Sequence, residues 1–192
     1  IFLMNQTHAA TWEKLPPLPE PNGGCMADCV GGKIIVAGGT NWRNDEKRWL
    51  DTVWRFDPAK NVWHSGPKLP HPLAYATFAG DGARLYFAGG ADGKQGRKEV
   101  YALDGQLKLT HLGDLPQPVV FAGGAIRDGR LHLFGGTPDP DDWTKAHTHH
   151  QTVTLADGRI TSLAALTDLQ HGLGLPAMTV VGSRIYTFPS SR

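Results

Sequence analysis

One short run governs what this chain can fold into, because it occurs again and again at a nearly fixed interval. Lys33-Ile-Ile-Val-Ala-Gly38-Gly39 returns as Arg84-Leu-Tyr-Phe-Ala-Gly89-Gly90 and as Arg130-Leu-His-Leu-Phe-Gly135-Gly136, and in decayed form as Arg184-Ile-Tyr-Thr-Phe-Pro189-Ser190. The copies extend backwards in register. Leu18-Pro19-Glu20-Pro21 stands as far before its glycine pair as Leu69-Pro70-His71-Pro72 and Leu115-Pro116-Gln117-Pro118 stand before theirs, and Leu169-Gln170-His171-Gly172 keeps the same offset. Trp12 and Trp63 superpose in this register, with Leu109 and Leu163 as apolar counterparts. A period of about 46 to 54 residues is that of a supersecondary unit that buries its apolar face only against the next copy.

Each copy reads as four strands. The innermost run over residues 24–30, 74–80, 120–126 and 175–181 and are rich in Gly, Ala and Cys, as strands converging on an axis must be. The glycine-pair strands follow across tight turns such as Gly31-Gly32 and Asp128-Gly129. Third strands are expected at Thr52–Phe56, Glu99–Leu103 and Gln151–Leu155, and fourth strands near Trp63, Leu109 and Leu163. The fold class is therefore all-β: an incomplete arc of about three and a half four-stranded blades, at 22–68, 73–114, 119–168 and 173–192. Residues 11–17, around Trp12, read as the outer strand of a closing blade whose partners lie in sequence absent here. The chain is thus expected to be a fragment of a ring of about six blades.

Composition narrows the function classes. With 40% apolar and 19% charged residues, the 192-residue chain can bury a core, and its 24 glycines and 14 prolines suit turns between short strands better than helices. Lys and Arg total 19 against 18 Asp and Glu, so there is no electrostatic footprint for nucleic acid. No run reaches the roughly 20 apolar residues of a membrane span. Residues 1–10 stand outside the repeat; an apolar run followed by Thr7-His8-Ala9-Ala10 predicts the remnant of a secretory signal, and with it a periplasmic or secreted protein, the alternative being a linker. Cys25 and Cys29 lie on one extended strand, with Cα atoms on the order of 13 Å apart, where a disulfide needs less than about 7 Å. They read as small buried residues equivalent to Ala76 and Gly80.

The glycine pairs, the turn Phe56-Asp57-Pro58, the following Trp63 and the Leu-Pro-x-Pro segments resemble kelch repeats, which form β-propellers. More narrowly, Val36-Ala-Gly-Gly-x-Asn41-Trp42, Lys47-Arg-Trp49-x-Asp51 and Leu69-Pro-x-Pro-Leu-x-Tyr75 are similar to the bacterial exported kelch proteins of the N-acetylneuraminate epimerase family, the sialic acid mutarotases. The start on a fourth strand also fits that cyclically permuted group. The resemblance implies an isomerase that opens a sugar hemiketal by acid and base catalysis, with no cofactor and no metal. The family's catalytic acidic and arginine residues fall in later blades, and no match to them appears after Gly136, so no catalytic role is carried over. The rival reading is a kelch scaffold that binds glycans or proteins without catalysis. A sialidase would carry Ser-x-Asp-x-Gly-x-Thr-Trp boxes, which this sequence lacks.

Strand alternation puts the loops after each glycine pair and the Leu-Pro-x-Pro segments on one face, the expected binding face. Glu20, His71, Gln117 and His171 share one repeat position and are expected to ring the channel mouth. The loop Asn41-Trp42-Arg43-Asn44-Asp45-Glu46-Lys47-Arg48-Trp49 offers indoles for a sugar's apolar face and guanidinium groups for a carboxylate. The expected substrate-binding residues are accordingly Asn41, Trp42, Arg43, Arg48, His71, Tyr75, Arg97, Gln117 and His171, with Glu46 and His149 as candidates for proton transfer. His147-Thr-His149-His150 puts two imidazoles on one face, but a zinc site needs a third ligand at a defined spacing and none is evident.

Overall fold

The computed structural model describes residues 12–157, 159–163 and 174–188. The expected leader at 1–10 and His171 lie outside the described residues. Blade I is a sheet in the order β1 (Met26–Val30), β2 (Lys33–Ala37), β5 (Val53–Asp57) and β6 (Val62–Ser65), interrupted after β2 by a hairpin of β3 (Thr40–Arg43) and β4 (Glu46–Trp49). Blade II is β7 (Thr77–Gly80), β8 (Arg84–Ala88), β9 (Glu99–Asp104) and β10 (Leu109–Asp114); blade III is β11 (Gly123–Arg127), β12 (Arg130–Phe134), β13 (His150–Thr154) and β14 (Ile160–Leu163). A further hairpin pairs β15 (Ala177–Val181) with β16 (Arg184–Phe188). All pairings are antiparallel, and the one helical element among the described residues is the 3-10 turn Trp143–Lys145.

The arrangement is radial, as the repeat requires. β1 lies beside β7, β7 beside β11 and β11 beside β15, so the first strands of successive sheets are neighbours around a common line. Between blades I and II, Met26, Ile35 and Val53 bury against Leu85, Phe87 and Leu103; between II and III, Tyr86, Val100 and Ala102 bury against Leu131, Leu133 and Val153. Alternate residues of each middle strand point to opposite blade faces, which is why Leu85 and Tyr86 enter different clusters.

The glycine pair has a steric cause. Gly38 and Gly89 hold left-handed backbone, φ +62° and +69°, and a Cβ at either would lie 2.1 Å from the Leu73 or Val119 carbonyl oxygen of the segment entering the next blade. The second glycine of each pair donates its N–H to that same oxygen, Gly39 to Leu73 and Gly90 to Val119, both at 2.8 Å. The motif is thus the joint between blades. Turn chemistry is also as the sequence implies: Gly31-Gly32 and Asp128-Gly129 have positive φ at both central residues, the type I′ geometry of two-residue hairpins.

Three expectations need correction. Residues 12–18 form no strand, and Trp12 is 98% exposed; no neighbouring strand among the described residues takes up the backbone groups of this segment, which instead receives the Trp63 indole N–H on the Pro16 carbonyl at 3.0 Å. Cys29 is exposed rather than buried, because it pairs with Ile34 on the face of blade I that has no described blade against it; Cys25 is half-buried, and both thiols are free. Burial pushes the Cys25 thiol up. Finally, the segment expected as a loop at 41–49 is part of a hairpin, closed by Asn44 and Asp45 at φ 53° and 62°.

A half-buried histidine pair predicts acid sensitivity. His132 Nδ1 lies 2.8 Å from His150 Nε2, their rings stacked at 5.0 Å. Desolvation holds both below the ordinary histidine value, the mutual repulsion adding to this at His150. A histidine depressed in the folded state stabilises it above the unfolded pKa of about 6.5 and loses that contribution as pH falls through the lower folded value. Urea midpoints are therefore expected to drop between about pH 7 and 5, and the drop is expected to shrink in His150→Phe, whose ring keeps the stacking without the charge. An unchanged pH profile in that variant would contradict the assignment.

Candidate functional site

The loops after the second strands and the segments entering the first strands meet on one face, bridged at Gly23 to Thr40, Ala74 to Ala91 and Val120 to Thr137. Among the described residues the shared polar position makes separate local contacts. Glu20 Oε1 accepts from Thr52 Oγ1 and from Trp54 Nε1 at 3.1 Å, His71 Nε2 faces Glu99 at 3.8 Å, and Gln117 Nε2 meets His147 Nε2 at 3.3 Å. Glu20 and Gln117 are hydrogen-bonded at the third strand of their own blade or the loop leading to it, while His71 Nε2 faces its third strand without a hydrogen bond.

The axis is occupied by the position four residues further on: Gly24, Tyr75, Phe121 and Leu175. All four have left-handed backbone, φ +67°, 59°, 63° and 50°, and are chained by main-chain bonds from Tyr75 N–H to Gly24 O at 2.8 Å, Phe121 N–H to Tyr75 O at 3.1 Å, and Leu175 N–H to Phe121 O at 2.8 Å. Bulky residues in this region cost on the order of 1 kcal/mol each and persist where surrounding structure enforces them. Glycine at 24 leaves room for the Tyr75 ring, whose Cε1 would lie 2.3 Å from a Cβ there.

Above this ring the β3–β4 hairpin delivers an aromatic wall. Pairing of Thr40 with Trp49 and of Trp42 with Lys47 sets these four on one hairpin face, and Asn41, Arg43, Glu46 and Arg48 on the other. Trp49 meets Tyr75 edge-on at 5.7 Å, Tyr75 meets Phe121 at 4.9 Å, and the Lys47 ammonium stands 4.7 Å from the Trp49 ring centre and 5.0 Å from that of Tyr75. A cavity of about 140 Å³ is bounded by Lys47, Trp49, Tyr75, Lys94, Phe121 and Asp141, contributed by three blades. Burial alone would raise the Tyr75 phenol, but the Thr40 hydroxyl 3.3 Å away and the Lys47 ammonium outweigh it and bring the phenol below its ordinary value. Apolar ring faces, an ammonium and a carboxylate in one cleft suit a polyhydroxylated ligand with an apolar face.

The other expected residues are dispersed. Arg43 and Glu46 face one another at the exposed hairpin tip, Arg48 is exposed, Trp42 is 69% exposed, and Asn41 Nδ2 donates to the Pro21 carbonyl at 3.2 Å. Arg97 donates to Glu99 and, at 3.3 Å, to Asp92, beside His71. Burial opposes both carboxylates; main-chain N–H groups and the guanidinium overcome it and hold Glu99 and Asp92 below the usual range. Arg97→Ala leaves two largely buried carboxylates without their cation, so a loss of about 2–3 kcal/mol in urea denaturation is expected; a loss within experimental error would show the network to be incidental. His149 is exposed with its ring 5.2 Å from that of His147, while His150 turns away into the pair with His132, and among the described residues no three potential ligands gather as a metal site.

Sequence reasoning found Tyr75 but missed Thr40, Lys47, Lys94, Phe121 and Asp141 as its companions. The signal was present in the repeat, one step beyond the polar position: Gly, Tyr, Phe and Leu at a single register.

Comparison with known proteins agrees with this architecture. The family profile described as Kelch motif matches residues 23–70. The solved structure titled "Structure of YjhT" superposes with a TM-score of 0.75 at 14% identity, over 88% of this chain and 59% of that one. The fold is an arc of a β-propeller, and residues 23–70 carry a kelch motif. Within that class it resembles the N-acetylneuraminate epimerase of Brucella melitensis, 32% identical over 119 residues that cover 50% of this chain and 30% of that protein. Beta-scruin of Limulus polyphemus is 32% identical over 44% of this chain and 10% of its own length, and mouse Kelch-like protein 35 is 27% identical over 71% and 22%. The chain thus spans between 10% and 30% of these curated relatives. Among the described residues no helix is long and apolar enough to cross a membrane.

Proposed function

We propose that this chain belongs to a carbohydrate-active isomerase of the N-acetylneuraminate epimerase type, with its sugar site in the axial cleft of Lys47, Trp49, Tyr75, Phe121 and Asp141. The observation that carries this reading is the aromatic wall with an ammonium over it, assembled from three blades on the loop face. The likeness to the Brucella epimerases supports this reaction type. Opening a hemiketal requires a proton for the ring oxygen and a base for the anomeric hydroxyl, and the cleft holds a phenol and a carboxylate. Within the same proposal the protein is exported, as residues 1–10 imply; cell fractionation that found it only in the cytoplasm would remove that part.

Anomeric exchange of N-acetylneuraminate, followed by NMR with the intact protein, tests the reading. Exchange faster than the spontaneous rate is expected, whereas the spontaneous rate at high protein concentration would eliminate the isomerase. The binding-scaffold reading has one observation in its favour: Glu20, Asp92 and Glu99 are all committed to internal partners. It predicts saturable glycan binding without acceleration.

A further inference from the structure

We propose that the site takes an oligosaccharide, with its reducing end in the axial cleft and its next units in a groove that runs outward between the loops of blades II and III. The inference rests on the sugar-site reading above and deepens it by naming the class of ligand.

The groove begins where the cleft ends. A second depression, of about 290 Å³, shares with the cleft Lys94 on the blade II side and Pro140 and Asp141 on the blade III side, so both lie in one seam between the two loops. A third, of about 210 Å³, shares Gln95, Gly96 and Pro118 with the second and ends at Lys98 and Glu99, where β9 begins. Both walls stand on four-stranded sheets and are pinned by local hydrogen bonds. On blade II, Ala91 bridges to Gly96, and Asp92 Oδ1 accepts from Lys94 N–H at 2.9 Å and Gln95 N–H at 3.0 Å. On blade III, the Thr137 hydroxyl lies 3.0 Å from the Asp139 carbonyl and 2.9 Å from that of Asp142, while Asp139 Oδ1 accepts from Asp141 N–H at 3.1 Å. The loops meet at Gly96, where a Cβ would lie 2.5 Å from the Pro138 carbonyl oxygen and 3.0 Å from Pro118 Cβ. A groove with walls fixed in advance loses little freedom when a ligand enters it.

The chemistry of the walls suits a chain of sugars. Pro118, Pro138 and Pro140 offer apolar ring faces, and between them the Gln95 amide, the Lys94 ammonium and the Asp141 carboxylate supply donors and acceptors for hydroxyls. The cleft mixes the same two characters, with Trp49, Tyr75 and Phe121 as apolar faces and Lys47 and Asp141 as polar groups, so one kind of ligand is served along the whole path. Lys94, common to cleft and groove, favours an acidic unit beside the first. An isomerase of the proposed type works on a free anomeric centre, and this sets the direction: reducing end at the axis, chain outward.

The test titrates the intact protein and Gln95→Ala, followed by NMR, with N-acetylneuraminate and with di-N-acetylneuraminate, the linked dimer that keeps one free reducing end. The dimer is expected to bind the parent about fivefold or more tighter than the monomer, and Gln95→Ala to lose most of that advantage while its affinity for the monomer stays within about twofold of the parent's. The side-chain amide resonance of Gln95, identified by its loss in Gln95→Ala, is expected to shift with the dimer and to stay in place with the monomer. Equal affinity of the parent for the two ligands, with that resonance unmoved, overturns the groove and leaves the sugar-site reading standing. A dimer advantage that survives Gln95→Ala, with the resonance unmoved in the parent, likewise overturns the groove alone. Failure of both ligands to bind overturns the groove and the sugar-site reading together.

Discussion

Gly38→Ala is expected to destabilise the protein by about 3–5 kcal/mol, and Gly89→Ala by a similar amount. Two effects combine at each site. The left-handed backbone disfavours any Cβ, and the new methyl would meet a main-chain carbonyl 2.1 Å away, Leu73 O or Val119 O, which cannot retreat because Gly39 or Gly90 is hydrogen-bonded to it. Gly82→Ala isolates the first effect, since its φ is +85° but nothing lies within 4 Å of the added carbon, and there the cost is expected to be about 1 kcal/mol. Urea unfolding of the three variants decides the matter. Equal costs at Gly38 and Gly82 would mean that the glycine pair is not the joint between blades.

Phe87→Ala is expected to cost about 3–5 kcal/mol. Phe87 is wholly buried and faces blade I, in one cluster with Ile35, Val53 and Met26, while its ring lies 5.5 Å from that of Tyr101. Because the cluster is shared by two blades, Phe87→Ala and Ile35→Ala are expected to be non-additive by about 0.5 kcal/mol or more. Val181→Ala is a contrast on a strand of similar pattern, since Val181 is 60% exposed and its truncation is expected to change stability by less than about 0.5 kcal/mol. Strict additivity of Phe87→Ala with Ile35→Ala would argue that the blades are independent units.

The strands and their order were legible because the glycine pair and the Leu-Pro-x-Pro segments recur at one period, and the repeated unit carries short β-branched runs closed by two-residue turns. The site was less legible. Glu20, His71 and Gln117 share a register and a polar character, and the sequence therefore favours them; yet a polar residue beside a buried strand end is drawn to a local polar group, and here those groups are Thr52, Glu99 and His147. The residues that do meet, Tyr75 and Phe121, look like core residues in the sequence because aromatics at an inner strand usually are. Their left-handed backbone, which turns them to the cleft, has no composition signal outside glycine and asparagine. Hairpin alternation was the other missing piece: it puts Lys47 and Trp49 on the Tyr75 side and Arg43 and Arg48 on the far side, a division that a loop reading cannot supply.

The proposed convergence of three blades on one sugar site is tested most directly by the indole N–H resonance of Trp49, identified by its loss in Trp49→Phe, during titration with N-acetylneuraminate. The account predicts a saturable shift of that resonance, accompanied at the same midpoint by shifts of the Tyr75 and Phe121 rings, which enter from the other two blades. Saturable shifts elsewhere with Trp49, Tyr75 and Phe121 unmoved would contradict it.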